Sequence, residues 1–549
     1  MVPFSAKKRA DLIDTIQEKN FDLIVIGGGI TGAGIALDAS SRGLSTLLLE
    51  KNDFAWGTSS RSTKLIHGGL RYLKQFEFGL VHEVGVERAI VHKNAPHVVI
   101  PEKMLLPIIE NGSLGKTLSS IGLWVYDRLA NVDVDERRKM IDKEDVVELE
   151  PLLRKDILIG GGLYYEYRTD DARLTIENMK TAHEHGAICL NHMEVTQFTY
   201  RENGYINGLR VDDKLTGQGY TIRARRIVNA TGPWVDTLRA KDTEGVVGKK
   251  LRLTKGVHLV VDRAKLPLNQ SIYFDVKEDS RMVFAIPRGN ITYIGTTDTV
   301  YDKLIDTPTT NREDIDYILE ATNYMFPSAK LNASDVQSTW AGLRPLIHQD
   351  GKSPSELSRK DEIFYAKSGL ISIAGGKLTG YRKMAERVMN FVCKTIRDTS
   401  FSPCQTKNIT LSGGHFESAD AVEDYIQRCA GECKQIHMDE NYVRQLVYRY
   451  GTNTDLIINR IYERFQDYSN KIHCFLEAEI WYCIEHEMTL SLCDFAIRRT
   501  GRLYFDRPSL IDNYRFIADC MAEHLTWDEK RKLKELSEFE KEMKMVLSF

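Results

Sequence analysis

A short apolar run followed by a glycine turn opens the informative part of this chain. The run Leu23 to Ile26 has no polar interruption, which predicts a strand buried on both faces, as in a parallel sheet. Gly27, Gly29 and Gly32 follow at the G-x-G-x-x-G spacing, which lets a backbone turn sharply beside a pyrophosphate at a helix N-terminus. The next apolar run, STLLLE, ends at Glu50, whose carboxylate can accept hydrogen bonds from ribose hydroxyls. This unit predicts a dinucleotide site.

Two later segments repeat the pattern of a strand and a turn. Ile227 to Ala230 leads into Thr231 and Gly232, and Ile371 to Ala374 leads into Gly375-Gly376 and a helical pattern from Tyr381. Gly232 lacks the side chain that would obstruct a cofactor. Only one complete fingerprint is present, so one firmly held redox cofactor is the simpler account. The late turn near Gly375 favours FAD, because the isoalloxazine ring of FAD must be held by residues far from the adenine end of the site.

The pattern changes twice more along the chain. Between Leu251 and Leu346, short runs such as VHLVVD, MVFAIP and ITYIGTT predict an antiparallel sheet, which we assign to substrate binding. From about Phe401, helical patterns dominate. We therefore expect an α/β fold with three domains. The FAD-binding, Rossmann-like domain comprises separated segments 17–85, 155–250 and 345–398; the substrate-binding domain comprises 86–154 and 251–344; and an all-helical domain spans 399–549.

Length and composition fit this division and exclude some functions. A chain of 549 residues exceeds the usual size of one core. Its net charge of −3 provides no basic surface for nucleic acid, which we do not expect as a partner. Nine cysteines without regular spacing favour a reducing compartment. Cys429, Cys433 and His437 form an incomplete metal-ligand set, so we interpret the thiols as helix packing and expect no metal.

No apolar run approaches the ~20 residues that a membrane-spanning helix requires. The protein is therefore expected to be soluble or to lie on a membrane surface. Leu114 to Leu129 has two readings, an amphipathic segment at a membrane interface and ordinary packing within a domain.

A loop from Gly57 to Tyr72 combines hydroxyls, glycines and cations with apolar Leu65, Ile66 and Leu70. Short polar side chains and main-chain amides suit contact with a cofactor and substrate. Across the chain, the residues that we predict to bind the cofactor are Gly27, Gly29, Gly32, Glu50, Thr58, Ser59, Ser60, Lys64, Leu65, His67, Gly68, Gly69, Val195, Thr231, Gly232, Gly376, Lys377, Leu378 and Thr379.

The order of these motifs resembles the FAD-dependent, quinone-linked glycerol-3-phosphate dehydrogenases. The resemblance rests on the glycine fingerprint and on TSSRSTKLIHGGLRYL, YRTDDARL, NATGPW, KGVHLVV, AGLRPL and AGGKLTGYR, and it continues to Arg498-Arg499-Thr500. It implies oxidation of sn-glycerol 3-phosphate at C2 to dihydroxyacetone phosphate by hydride transfer to flavin N5. Electrons would pass to a membrane quinone, which implies a cytoplasmic protein held peripherally on the inner face of the membrane. A homodimer is one expected assembly.

The resemblance also implies roles for individual residues. Arg71 and Tyr72 are expected at the substrate phosphate, with Arg344 and Lys377 completing the pocket. His258, with an ordinary pKa near 6.5, is the candidate base for the hydroxyl proton. Alternatively, His258 has only a structural role, with its hydrogen bonds satisfied within its strand. Arg344 could then lower the pKa of the substrate hydroxyl electrostatically. His258, Arg344 and Lys377 are thus the catalytic candidates.

Three alternative functions share some of these sequence features. A glycerol-3-phosphate oxidase would share most motifs and reduce oxygen to hydrogen peroxide. An amino-acid oxidase would need a carboxylate clamp, which the phosphate-suited cations do not favour. A flavin-bearing regulatory protein without turnover belongs to a different class, and bleaching of its flavin by glycerol 3-phosphate would exclude it.

Overall fold

The computed structural model describes residues 3–67, 78–112, 138–277, 281–348, 361–396, 401–418 and 420–549. The strands are β1 (Asn20–Ile26), β2 (Thr46–Leu49), β3 (Leu65–Ile66), β4 (Val99–Ile109), β5 (Lys139–Ile141), β6 (Leu158–Thr169), β7 (Ile188–Leu190), β8 (Met193–Tyr200), β9 (Ile206–Asp213), β10 (Gly219–Asn229), β11 (Leu251–Asp262), β12 (Ser271–Asp275), β13 (Met282–Arg288), β14 (Ile291–Gly295), β15 (Thr299–Val300), β16 (Val336–Ile347), β17 (Glu362–Tyr365) and β18 (Ile371–Ala374).

The α-helices are α1 (Arg9–Glu18), α2 (Ile30–Ser41), α3 (Phe78–Asn94), α4 (Lys143–Leu149), α5 (Asp171–Glu184), α6 (Val235–Arg239), α7 (Arg312–Met325), α8 (Tyr381–Ile396), α9 (Ala421–Cys433), α10 (Glu440–Tyr450), α11 (Thr454–Arg464), α12 (Lys471–His486), α13 (Arg502–Phe505), α14 (Arg507–Leu525) and α15 (Glu529–Met545). A π-helix, Asp494–Arg499, precedes α13.

The first sheet joins the three apolar runs that precede glycine turns. Its order is β17-β18-β10-β1-β2-β7, and β9 and β8 extend it beside β10. Strand β1 pairs in parallel with β10 and with β2, and β10 pairs in parallel with β18. Parallel pairing places the carboxyl ends of these strands along one edge, where their glycine turns also lie. The predicted assembly of this sheet from separated segments is confirmed.

The second sheet has the order β15-β11-β14-β13-β12-β4-β6-β3, with β16 paired to β11 and β5 to β6. Its pairings are antiparallel apart from β12 with β4. Strand β6 lies within the range predicted for the FAD-binding domain, yet it pairs with β4 in this sheet. Local periodicity does not encode a pairing partner some sixty residues away, which explains the difference.

In the part of the chain that the structure describes, every regular element after β18 is helical. The helical domain predicted for the C-terminal region is thus present. No described helix combines the length and the apolar character that crossing a membrane demands.

Buried ion pairs attach this helical region to α5. Arg173 and Lys180 of α5 lie within 2.6 and 3.3 Å of the Glu487 carboxylate, just after α12. Glu177, one turn along α5, also pairs with Arg173. Because the three α5 side chains and Glu487 are almost fully buried, their charges must compensate one another.

Replacing Glu479 of α12 with Gln tests a similar buried cluster. Its carboxylate accepts hydrogen bonds from Arg502 (2.6 Å) and Tyr450 (2.9 Å). Burial raises the pKa of Glu479, but the nearby Arg449 and Arg502 charges outweigh burial and hold the pKa at about 2. The stabilisation is therefore present above about pH 4.5 and is lost as pH falls towards 2. We expect Glu479→Gln to cost about 3 kcal/mol at neutral pH, which for a chain of 549 residues lowers the Tm in a thermal scan by roughly 2–3 °C.

The matched control is Glu463→Gln, which removes a carboxylate that is 67% exposed and lies 3.6 Å from Arg460. Its Tm should stay within about 1 °C of the wild type, because exposed pairs contribute little. The Tm difference caused by Glu479→Gln should shrink as the pH falls below about 4.5. A difference that stays constant down to about pH 3 would contradict the assignment.

Candidate functional site

The glycine turns of the first sheet surround a cavity of about 230 Å³. Segments far apart in sequence supply its walls: the turn after β1, the loop after β2, the start of β8, the turn after β10 and the turn after β18. The predicted cofactor residues that line it are Gly27, Gly29, Glu50, Thr58, Ser59, Val195, Thr231, Gly232, Gly376, Lys377 and Leu378.

The glycine fingerprint is required by close backbone approaches. Gly27 has φ +114°, and a Cβ there would lie 2.6 Å from the Ala230 carbonyl oxygen. Gly32 lies inside α2, and a Cβ at this residue would lie 1.9 Å from the Gly27 carbonyl oxygen. Neither position tolerates a side chain. The two glycines therefore bring β1, β10 and the N-terminus of α2 together at the cavity.

Glu50 faces the same turn from the end of β2. Its carboxylate accepts hydrogen bonds from the Gly28 amide (2.6 Å) and the Asn52 amide (2.8 Å). Removal from water raises the pKa of Glu50, and these two amides partly oppose that effect. The amides fix the carboxylate at the cavity wall. An extended dinucleotide fits this arrangement, with its pyrophosphate near the amides of α2 and a ribose near Glu50.

A second cavity, of about 130 Å³, adjoins the first. Thr58, Ser62, Pro345 and the segment Gly376 to Leu378 line both cavities. The three catalytic candidates, His258, Arg344 and Lys377, line the second cavity, as do the predicted residues Leu65 and His67. The structure thus brings these side chains together around the second cavity, and Lys377 also lines the first.

Arg344 reaches this cavity from β16. Its guanidinium donates to the Thr297 carbonyl oxygen and the Asp298 carboxylate at 3.1 Å, and to the Thr296 hydroxyl at 3.0 Å. Gly256, on the neighbouring strand β11, leaves room for it, since a Cβ there would lie 2.2 Å from Arg344 Nη2. These contacts fix the orientation of the guanidinium.

His258 lies on β11 and is only 2% exposed. Its ring stacks on Trp340 with 4.9 Å between centroids, and Nε2 lies 3.0 Å from the Thr63 hydroxyl. Burial, together with the positive charges of Arg344 and Lys64, holds the pKa of His258 well below its usual value. The imidazole is therefore neutral near pH 7 and able to accept a proton.

Lys377 lies in the turn after β18. Its ammonium donates to the His67 carbonyl oxygen at 2.6 Å and lies 3.1 Å from His67 Nδ1. Thr379 Oγ1 also donates to the His67 carbonyl oxygen and accepts from the His67 amide, both at 3.1 Å. The end of the loop before residue 68 is thereby attached to the third glycine turn.

Four predicted cofactor residues line neither cavity: Gly32, Ser60, Lys64 and Thr379. Lys64 is buried, and its ammonium donates to the Asp171 carboxylate at 2.5 Å and the Ser60 carbonyl oxygen at 3.1 Å. These contacts fix the shape of the loop before His67. The predicted residues Gly68, Gly69, Arg71 and Tyr72 lie outside the described residues, as does the segment 114–129.

Several residues of the site were not predicted. Trp56 lines the first cavity, and Thr63, Thr296 and Asp298 hold His258 and Arg344. The run GTTDT, which contains Thr296 and Asp298, was the available signal, because such a polar cluster directly after an apolar strand is unusual.

The chain matches the models of known protein families. Residues 22–382 match the model of the FAD dependent oxidoreductases, and residues 404–532 match that of the C-terminal domain of alpha-glycerophosphate oxidase. An aerobic glycerol-3-phosphate dehydrogenase from Staphylococcus aureus (strain bovine RF122 / ET3-1) is 50% identical over 526 residues, covering 95% of this chain and 94% of the relative.

Solved structures agree with these matches. The glycerol-3-phosphate dehydrogenase from Bacillus halodurans, solved in complex with FAD, is 47% identical with a TM-score of 0.85, and the match covers 99% of each chain. The L-alpha-glycerophosphate oxidase from Mycoplasma pneumoniae is 17% identical with a TM-score of 0.55, covering 68% of this chain and 95% of that one, which indicates a shared fold. The chain therefore belongs to the FAD-dependent oxidoreductases, in the glycerol-3-phosphate dehydrogenase family, and its cofactor is FAD.

Proposed function

We propose that this protein oxidises sn-glycerol 3-phosphate at C2 to dihydroxyacetone phosphate and passes the electrons to a membrane quinone. The observation that carries the proposal is the wall shared by the two cavities, Gly376 to Leu378. A substrate in the smaller cavity would lie directly beside one end of the cofactor cavity.

The smaller cavity suits a small anion. Arg344 and Lys377 both line it, and a phosphate dianion is best held by several cations with paired donors. Arg344 is oriented by its contacts with the segment Thr296–Asp298, so little side-chain entropy is lost when it binds an anion. Arg71 and Tyr72 remain proposed phosphate contacts on the basis of family motifs alone.

FAD, when bound, supplies the two-electron acceptor for the hydride that leaves C2. His258 is the proposed base for the proton of the C2 hydroxyl. Its low pKa keeps the ring neutral, and contacts with Trp340 and the Thr63 hydroxyl hold it in one orientation. Arg344 would place a positive charge near the same hydroxyl, which lowers the pKa of that hydroxyl and assists proton loss.

The acceptor separates the two candidate functions. The relatives named above include both dehydrogenases and an oxidase, and an oxidase would deliver the electrons to oxygen and form hydrogen peroxide. We favour a quinone, because the sequence motifs resemble those of the quinone-linked dehydrogenases and the relative from S. aureus that matches nearly the whole chain at 50% identity is named as a dehydrogenase. A lipid-soluble acceptor would require the protein to reach a membrane surface. We therefore propose peripheral attachment on the inner face of the cell membrane.

Anaerobic titration of the holoenzyme tests the reaction and the acceptor together. We expect sn-glycerol 3-phosphate to bleach the flavin absorbance fully, because the cations of the smaller cavity hold its phosphate beside the cofactor cavity. Glycerol, which lacks the phosphate, is the control and should leave the flavin oxidised at the same concentration. Soluble quinone should then restore the absorbance faster than air. Fast recovery in air with stoichiometric peroxide would favour the oxidase, and absence of bleaching would reject both functions.

Replacing His258 with Asn tests the base. We expect single-turnover flavin reduction to slow by about 100-fold or more, since a positioned base typically contributes 10²–10⁴-fold. FAD affinity should be unchanged, because His258 does not line the cofactor cavity. The exposed His415, replaced in the same way, is the control and should keep the wild-type rate. An unchanged rate in His258→Asn would remove this residue from the proton transfer.

Replacing Arg344 with Lys keeps the charge but removes the planar pair of donors. We expect KM for sn-glycerol 3-phosphate to rise about tenfold, with a smaller fall in kcat, if Arg344 mainly holds the phosphate. Steady-state kinetics at saturating quinone measures both constants. Arg312→Lys, at a residue 64% exposed on α7, is the control. A fall in kcat with unchanged KM would instead assign Arg344 to the hydroxyl.

A further inference from the structure

The motif Arg498-Arg499 has no part in the proposed chemistry, yet both side chains are almost fully buried. They end the π-helix Asp494–Arg499 in the C-terminal helical domain. Neither residue lines the cofactor cavity or the smaller cavity beside it. Two buried guanidinium groups on adjacent residues require compensating negative charge, and its position indicates what they do.

The compensating carboxylate belongs to Asp53, more than 400 residues earlier in the chain. It accepts hydrogen bonds from Arg498 Nε at 2.5 Å and from Arg499 Nη1 and Nη2 at 2.7 and 2.9 Å. Asn191 adds a fourth donor at 2.9 Å. Asp53 is fully buried and lies in the loop after β2, three residues beyond Glu50.

This loop forms part of the cofactor site. Glu50, Asn52 and Trp56 all line the cofactor cavity. The Trp56 amide donates to the Asp53 carbonyl oxygen at 3.1 Å, and the Arg498 guanidinium lies 4.9 Å from the centre of a Trp56 ring. The Ala55 amide donates to the carbonyl oxygen of Gly28, within the glycine fingerprint, at 2.9 Å. Movement of Asp53 would therefore move the cavity wall.

A second connection runs in parallel with the first. His192 Nε2 lies 3.2 Å from the carboxylate of Asp494, and the same carboxyl group accepts from Arg498 Nη2 at 2.9 Å. The His192 amide donates to the Asn52 carbonyl oxygen at 2.7 Å, and the next amide donates to that of Glu50. Asp53, His192 and Asp494 are close enough together to ligate a metal, but the two guanidinium groups already neutralise the two carboxylates.

We propose that Arg498 and Arg499 are positioning residues through which the C-terminal helical domain holds the loop Glu50–Trp56 and thereby retains FAD. The two arginines act on the cofactor through Asp53 and Trp56, without touching it. Thermodynamic linkage then requires reciprocity: weakening the arginine contacts lowers FAD affinity, and FAD binding stabilises the arginine contacts.

Arg498→Met tests the proposal against a matched control, Arg502→Met. Arg502 is also buried in the helical domain, four residues further on, but its guanidinium pairs with Glu479 at 2.6 Å, whereas the described ion pairs of Asp53 are with Arg498 and Arg499. For the wild type and each full-length variant, the FAD dissociation constant is measured by reconstituting the apoprotein with FAD. The Tm is measured on the apoprotein. We expect Arg498→Met to raise the dissociation constant about tenfold or more, and Arg502→Met to leave it within about twofold.

Both variants should lower the apoprotein Tm, because each leaves a buried carboxylate less well compensated. If Arg498 had a merely structural role, Arg498→Met and Arg502→Met would lower the Tm by similar amounts and would raise the FAD dissociation constant equally. That result would overturn the proposal. Arg498→Lys, which keeps the charge, is the milder variant if Arg498→Met does not fold. It should show a smaller increase in the same constant.

Hydrogen exchange on the wild-type chain gives a readout that needs no variant. FAD binding should slow amide exchange in Asp494–Arg499, which is distant in sequence from the segments that line the cofactor cavity. Exchange in α9 should be unchanged. Equal exchange in Asp494–Arg499 with and without FAD would contradict the reciprocal coupling.

Discussion

The contact between two backbones at Gly27 is the constraint on which the rest of the site depends. The turn after β1 passes so close to the Ala230 carbonyl oxygen that no Cβ fits, and α2 starts at once behind it because Gly32 also lacks a side chain. This contact sets the position of the α2 N-terminus relative to the ends of β2 and β10. Glu50 and Thr231 then face a common cavity as a consequence of strand pairing, and each needs only local hydrogen bonds to hold its orientation.

The cations of the site differ in position, and the difference separates scaffold from pocket. Lys64 is buried against the Asp171 carboxylate, which also accepts from the Ser62 amide at 3.0 Å, so this charge fixes a loop. Lys377 instead donates to a carbonyl oxygen and faces a neighbouring imidazole. These contacts orient the ammonium at the wall of the smaller cavity, which Lys64 does not line. Burial alone therefore does not identify a functional cation, whereas its position relative to the two cavities does.

Elements defined by local pattern could be predicted from the sequence, and elements defined by distant pairing could not. Each strand that precedes a glycine turn carries its own signal, since apolar runs and glycine spacing are local properties. Strand β6, with the sequence LIGGGLYYEYRT, carries no such run, and its partner β4 is chosen by the fold of the whole chain. The same holds at the site. His258 and Arg344 were identified by their motifs, while Thr63 and Asp298, which hold them, lie on other segments. The carboxylate that pairs with Arg499 lies 446 residues away and gives no local signal.

Buried charge joins the C-terminal helical domain to the cofactor domain at two places. Arg173 and Lys180 of α5 meet Glu487, and Arg499 meets Asp53. Buried ion pairs add little net stability relative to apolar contacts, but a misaligned one leaves an uncompensated charge at a cost of several kcal/mol, about 3–5. An interface of this kind therefore favours a single docked arrangement over many similar ones. Because Asp53 lies in the loop that carries Glu50, that single arrangement also fixes one wall of the cofactor cavity. The helical domain is thus an integral part of the cofactor site, although none of its described residues lines either cavity.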